Sequence, residues 1–144
     1  MRARLGSVDA TWFHMDRAEN TADVVALLAF RELPPFERLR ALIEDRLVSC
    51  PRFRQRVVPG WGLSPGAWED DPTFELDRHL TRVDLAGGQG ALAARVGALA
   101  SARLDPAHPL WRVEAVRGRG QAALLMKLHH CIADGFALVS LLLS

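Results

Sequence analysis

The chain has 144 residues and a mass of 15.9 kDa, which suits one domain. Hydrophobic residues make up 49% and charged residues 24%, so the composition supports a core and excludes a disordered chain. The formal net charge of +1 excludes a nucleic-acid binder held by bulk charge. Cys50 and Cys131 are too few for a disulfide framework and lack CxxC spacing, so a reducing, cytoplasmic setting is expected. Lys127 is the single lysine among 18 basic residues, a bias read as genome composition. No signal peptide is evident, and the longest apolar runs fall short of the ~20 residues a spanning helix needs. The expectation is a protein at most peripheral to a membrane.

In chain order, Ser7 to Asp16 reads as a short opening helix or turn with Ser7 or Asp9 as caps. Asp23 to Phe30 is apolar and β-branched, as in a buried strand. Pro35 opens a helix to about Val48, with Phe36, Leu39, Ile43 and Leu47 as its buried stripe. Arg52 to Val58 reads as a strand, and Pro59 to Asp71 as a loop or hairpin connection carrying Trp61 and Trp68. Phe74 to Leu85 fits either helix or strand. Gln89 to Leu104 reads as an alanine-rich helix with Leu92, Val96, Leu99 and Arg103 on one side. Trp111 to Val116 and Ala122 to Leu128 form an antiparallel hairpin around Arg117-Gly118-Arg119-Gly120. Asp134 opens a last helix from Gly135 onward. Its residues are almost all apolar, which suggests one part of a larger protein. Alternating strands and helices predict an α/β or α+β fold, a mixed sheet flanked by helices.

The chemistry concentrates in His129-His130-Cys131-Ile132-Ala133-Asp134-Gly135, where an apolar strand ends and a helix begins. Adjacent strand residues point to opposite faces, so His129 and His130 do not readily share one ion. Zinc also wants three or four spaced ligands, and no metal is expected. A neutral imidazole can serve as general base near neutrality. Asp134 can orient a ring, pair with an arginine or cap the helix. The bland alternative is a structural histidine pair followed by an ordinary Asp-Gly helix start.

The HHxxxDG pattern resembles the signature of the chloramphenicol-acetyltransferase-like acyltransferases. Three further segments resemble the bacterial wax ester synthase/diacylglycerol acyltransferase family within it: Ser7-Val8-Asp9-Ala10-Thr11-Trp12-Phe13, Pro51-Arg52-Phe53-Arg54-Gln55-Arg56, and Leu104-Asp105 through Pro109-Leu110-Trp111. They occur in the family's order and span nearly the whole chain. The resemblance implies transfer of a fatty acyl group from acyl-CoA, a co-substrate and not a resident cofactor, to diacylglycerol or a long-chain alcohol. It implies His130 as the base, His129 and Asp134 as supports, and Gly135 as a point of close backbone approach. It also implies a two-lobed enzyme with a tunnel between lobes, of which this chain matches the first lobe. Two alternatives follow: a non-catalytic half that needs a partner lobe or a second copy, and a condensation-type acyltransferase.

Alternation puts Arg52, Arg54 and Arg56 on one strand face, where they could meet CoA phosphates or simply be solvated. Trp12, Trp61, Trp68 and Trp111 are core or acyl-tunnel candidates, with Trp61 and Trp68 able to touch lipid. Cys131 could be a nucleophile but reads better as a small buried hydrophobe. His14, His79 and His108 read as surface or loop residues.

Overall fold

A computed structural model describes residues 2–88 and 90–132. The helix expected from Gly135, together with Asp134 and Gly135 themselves, lies outside the described residues. The order is β1 (Arg2–Arg4), α1 (Ser7–Met15), β2 (Asp23–Phe30), α2 (Phe36–Ile43), β3 (Gln55–Val58), β4 (Ala67–Asp70), α3 (Leu76–His79), β5 (Leu80–Asp84), α4 (Ala91–Ser101), β6 (Trp111–Gly118) and β7 (Gln121–His129). The mixed α/β class expected from the sequence is what forms.

The main sheet runs β2-β7-β6-β5, and a smaller sheet runs β1-β4-β3. The β6–β7 hairpin forms as expected, with Gly118 opposite Gln121 and Gly120 at φ 65° in the turn. The segment that fitted either state supplies both: one turn of α3, then β5, which lies parallel to β6 and makes the sheet mixed. Alternation divides the sheet's two faces. Val24, Ala26 and Leu28 share one face with Trp111, Val113, Ala115, Leu124, Met126 and Leu128, packed on α2 and the small sheet. Val116, Ala123 and Leu125 occupy the opposite face under Leu99 of α4.

Several expectations need correction. Asp23 to Phe30 is a strand but not a buried one: among the described residues it is the edge of the sheet, and Leu27 is 44% exposed. The helix from Phe36 continues through one wider π-type turn, Glu44–Val48, which still buries Leu39, Ile43 and Leu47. Pro51–Phe53 forms a 3₁₀ turn, so β3 starts only at Gln55. A proline lacks the N–H that a ladder needs and suits such a first turn. The opening helix is preceded by Gly6 and has no side-chain cap.

Helix α4 ends at Ser101 and not Leu104, and Lys127 takes up the carbonyls at its end. Its ammonium, 1% exposed, donates to the carbonyls of Leu99, Ala100 and Ala102 at 3.2, 2.8 and 2.5 Å. It also pairs with Asp23 at 3.0 Å. A cation there satisfies the orphan carbonyls of a helix C-terminus and complements its dipole. A second buried charge, Glu114, is held by a two-pronged Arg95 contact at 2.6 and 2.7 Å from the same helix. Lys127→Met is expected to leave Asp23 and three carbonyls unpaired and to cost about 3–5 kcal/mol in urea unfolding. Lysine's three donors meet this cluster at one point, so Lys127→Arg is expected to recover only part of that loss.

Candidate functional site

The site forms where β7 runs out. His129 closes the strand opposite Asp23, and its N–H donates to the Leu110 carbonyl at 3.0 Å. The next N–H, of His130, donates to the Ala22 carbonyl at 2.8 Å. The backbone on both sides of the histidine pair is therefore tied to the chain before β2 and before β6.

Helix α1 lies against both imidazoles. Trp12 stacks on His130, with centroids 4.6 Å apart and planes 18° from parallel. Phe13, the next residue, contacts His129 at 6.1 Å. The two rings separate as strand alternation requires: His129 is buried and His130 half-buried. His130 is thus the member of the pair that solvent reaches.

The role of His129 is readable from its bonds. The Cys131 backbone N–H donates to its Nδ1 at 3.1 Å. A backbone N–H can only donate, so Nδ1 accepts and the proton of the neutral ring sits on Nε2. That Nε2 is buried without a hydrogen-bond partner among the described residues. Burial lowers the pKa of His129 below its usual value, against the opposing pull of Asp23 and Asp16. His129 also lines a cavity of about 210 Å³ with Phe13, Asp16, Thr21, Asp23 and Arg103.

Cys131 is buried, and burial pushes its thiol up to about 12. A thiol so placed stays protonated, so it behaves as a small hydrophobe and not a nucleophile. Among the described residues, no group of three or more His, Cys, Asp or Glu could hold a metal ion.

The sequence segments singled out above interlock physically. Trp111 donates its indole N–H to the Phe53 carbonyl at 2.9 Å and meets the Phe53 ring edge-on. The neighbouring Leu110 carbonyl holds His129, as described. The segment 7–13 supplies the rings over both histidines. These contacts explain why the segments sit far apart in sequence yet serve one place.

Arg52, Arg54 and Arg56 do not share a strand face. Arg52 lies in the 3₁₀ turn, with its guanidinium 4.4 Å over Trp68 and bonded to Gln55 at 3.1 Å. Arg54 is an exposed turn residue, and Arg56 stands in β3 opposite Glu69. Trp68 itself is fully buried in β4, which removes it as a lipid contact. His14 is exposed as expected. His79 is not: it is buried between Phe74 and Trp111, with Nδ1 2.8 Å from the Trp111 carbonyl. His108 is half-buried and bridges Asp71 and Arg78 at 2.8 and 2.7 Å. Sequence reasoning missed the Trp12–His130 stack and the Lys127–Asp23 pair. The single lysine among arginines was the available signal for the second.

The fold is shared with solved acyltransferase and condensation-domain structures, over about a third of each of those chains. A wax ester synthase/diacylglycerol acyltransferase from Marinobacter aquaeolei matches over 95% of this chain and 36% of its own, with TM-score 0.71 and 23% identity. The starter condensation domain of rhizomide synthetase matches over 98% of this chain and 35% of its own, with TM-score 0.75 and 12% identity. The family model described as the wax ester synthase/diacylglycerol acyltransferase catalytic domain matches residues 5–144, and the chain belongs to that family. The probable diacylglycerol O-acyltransferase tgs1 of Mycobacterium tuberculosis is 39% identical over 114 residues, 76% of this chain and 25% of its own length. A second relative from that organism, tgs3, is 33% identical over 94% of this chain and 53% of its own. The chain therefore spans between a quarter and about half of the curated relatives it matches.

Two outcomes follow. Trp12→Ala is expected to lower stability by about 1 kcal/mol and to move the His130 ring protons downfield in NMR spectra as the indole ring current is lost. Burial depresses the pKa of both His79 and His129. Each then binds protons more weakly folded than unfolded, so stability is full above about pH 6.5 and falls as pH drops through that value toward the folded-state pKa. The urea midpoint should fall over that window. His79→Phe, which keeps the ring stack, should flatten the fall.

Proposed function

We propose that this chain forms the histidine-bearing lobe of an acyl-CoA-dependent O-acyltransferase that esterifies a lipid alcohol, either diacylglycerol or a long-chain alcohol. The observation that carries the reading is His130 at the end of β7, half-open to solvent and braced by Trp12 and by its own backbone bond. In this reading His130 takes the proton from the acceptor hydroxyl as the oxygen adds to the thioester carbonyl. The tetrahedral intermediate then expels the CoA thiolate, which recovers that proton from the imidazolium. A base so placed contributes about 10²–10⁴-fold in rate.

The supporting parts fall to other residues. His129, kept neutral and hydrogen-bonded to the turn, holds the backbone that aims its neighbour. Asp134 and Gly135 complete the motif in sequence, as a support and a close-approach position. The open side of His130 suits a second wall, from polypeptide beyond this lobe or from another copy of the chain. The names of the Mycobacterium relatives favour diacylglycerol as acceptor, and that of the Marinobacter neighbour allows a wax alcohol as well.

The test is thiol release from palmitoyl-CoA with diacylglycerol or hexadecanol. It is run on the chain alone and on a chimera in which it replaces the matching residues of tgs1. Alcohol-dependent release in the chimera, reduced at least about 100-fold by His130→Ala, is the expected result. Release in the chimera that His130→Ala leaves intact would overturn the role of His130. Transfer from a carrier-bound acyl group but not from CoA would favour a condensation-type enzyme.

A further inference from the structure

The connection between β3 and β4, residues 59–66, reads Pro-Gly-Trp-Gly-Leu-Ser-Pro-Gly and contains no charged side chain. Its neck is closed by backbone. A Cβ on Gly60 would collide with the Ser64 carbonyl and lie 2.6 Å from the Gly66 nitrogen, and Gly66 adopts φ +100° with its own Cβ position 2.6 Å from the Val58 carbonyl. The Leu5 N–H donates to the Gly66 carbonyl at 3.1 Å and ties the neck to the end of β1. Beyond the neck, the Ser64 N–H donates to the Trp61 carbonyl at 3.1 Å, and Gly62 at φ +62° lets the chain reverse. The result is a defined turn, yet its two large side chains stand open to solvent. Trp61 is 93% exposed and Leu63 105%.

Charges of both signs flank this tip, with Arg4 beside it and Asp9 against Gly6, which lines the same surface hollow as Arg4. Arg4 shares that hollow with Leu63 and Pro65, and it stands opposite Ala67, the first residue after the connection. Arg2 lies on the same strand face and is also exposed, although Glu69 stands opposite it. Val8, 66% exposed at the start of α1, adds a third apolar side chain beside Ser7 of the same hollow. An uncharged tip with a tryptophan, set above an arginine, matches the headgroup layer of a bilayer. The indole sits at the apolar–polar boundary there, no ion is desolvated, and the guanidinium stays among anionic headgroups.

We propose that residues 59–66 form a membrane-contacting tip, in which Trp61 and Leu63 enter the interface of an anionic phospholipid surface and Arg4 binds its headgroups. This inference is independent of the acyl-transfer reading, because its readout is partition and not turnover.

The test is flotation of the 144-residue chain with phosphatidylcholine vesicles, with and without phosphatidylglycerol. The chain should float with vesicles, more strongly when phosphatidylglycerol is present. Its tryptophan emission should shift to the blue and be quenched by brominated acyl chains. The double variant Trp61→Ser/Leu63→Ser should lose partition by about tenfold or more, with far-UV circular dichroism and urea midpoint unchanged. Arg4→Gln should lose the preference for phosphatidylglycerol while keeping the emission shift. Leu27→Thr, at an exposed apolar position on the β2 edge, is the control and should partition like the parent. Three results would overturn the proposal: a parent chain that stays with the unbound fraction, as expected if the tip instead meets a protein; a double variant that floats undiminished; or an equal loss in Leu27→Thr, which signals general stickiness.

Discussion

A single buried ammonium organises the sheet around the site. Lys127 holds the last carbonyls of α4 against the sheet and pairs with Asp23 at the start of β2. Three elements from distant parts of the chain therefore converge within one side chain's reach. His129 follows two residues later and stands opposite Asp23. The cluster lies beside the histidine pair, and the largely buried Asp23 carboxylate would be costly there without its partner.

From that anchor the site is assembled by backbone as much as by side chains. The Leu110 and Ala22 carbonyls each take one N–H of the histidine pair, and the Cys131 N–H returns to the His129 ring. The imidazoles then have little freedom except rotation about their own bonds. Trp12 restricts that for His130 by covering one ring face. Trp111 links the same neighbourhood to Phe53 through its indole N–H. In the proposed role of His130 as base, such restriction is an advantage, because its reorganisation is complete beforehand.

Much of this was legible from residue order. The β6–β7 hairpin announced itself through alternation broken by a glycine turn, and the stripe Leu39, Ile43, Leu47 through helical spacing. The motif at His129-His130 stood at a strand end, where the structure has it. What stayed hidden depends on partners distant in sequence. Nothing local to Asp23–Phe30 says that it has a neighbour on one side only. His79 reads as a polar loop residue until Phe74 and Trp111 close on it. The arginines at 52, 54 and 56 alternate in sequence, but Pro51 converts their first members into a turn. Lys127 resembled an accident of composition because its three carbonyl partners carry no side-chain signature.

The pairing of β2 has a consequence for how the molecule comes into being. Among the described residues β2 bonds to β7 alone within the sheet, and Asp23 meets His129 across a separation of roughly a hundred residues. During synthesis, at about 5–20 residues per second, β2 leaves the ribosome many seconds before its partner exists. For that interval an apolar stretch of Val, Leu, Ala and Phe has no ladder to join. The nascent chain must keep it from other copies until β7 emerges, and the histidine site is completed in the same late event. Conditions that slow translation near residues 111–129 lengthen that exposure. The same event that protects the strand from aggregation delivers the imidazoles to their place.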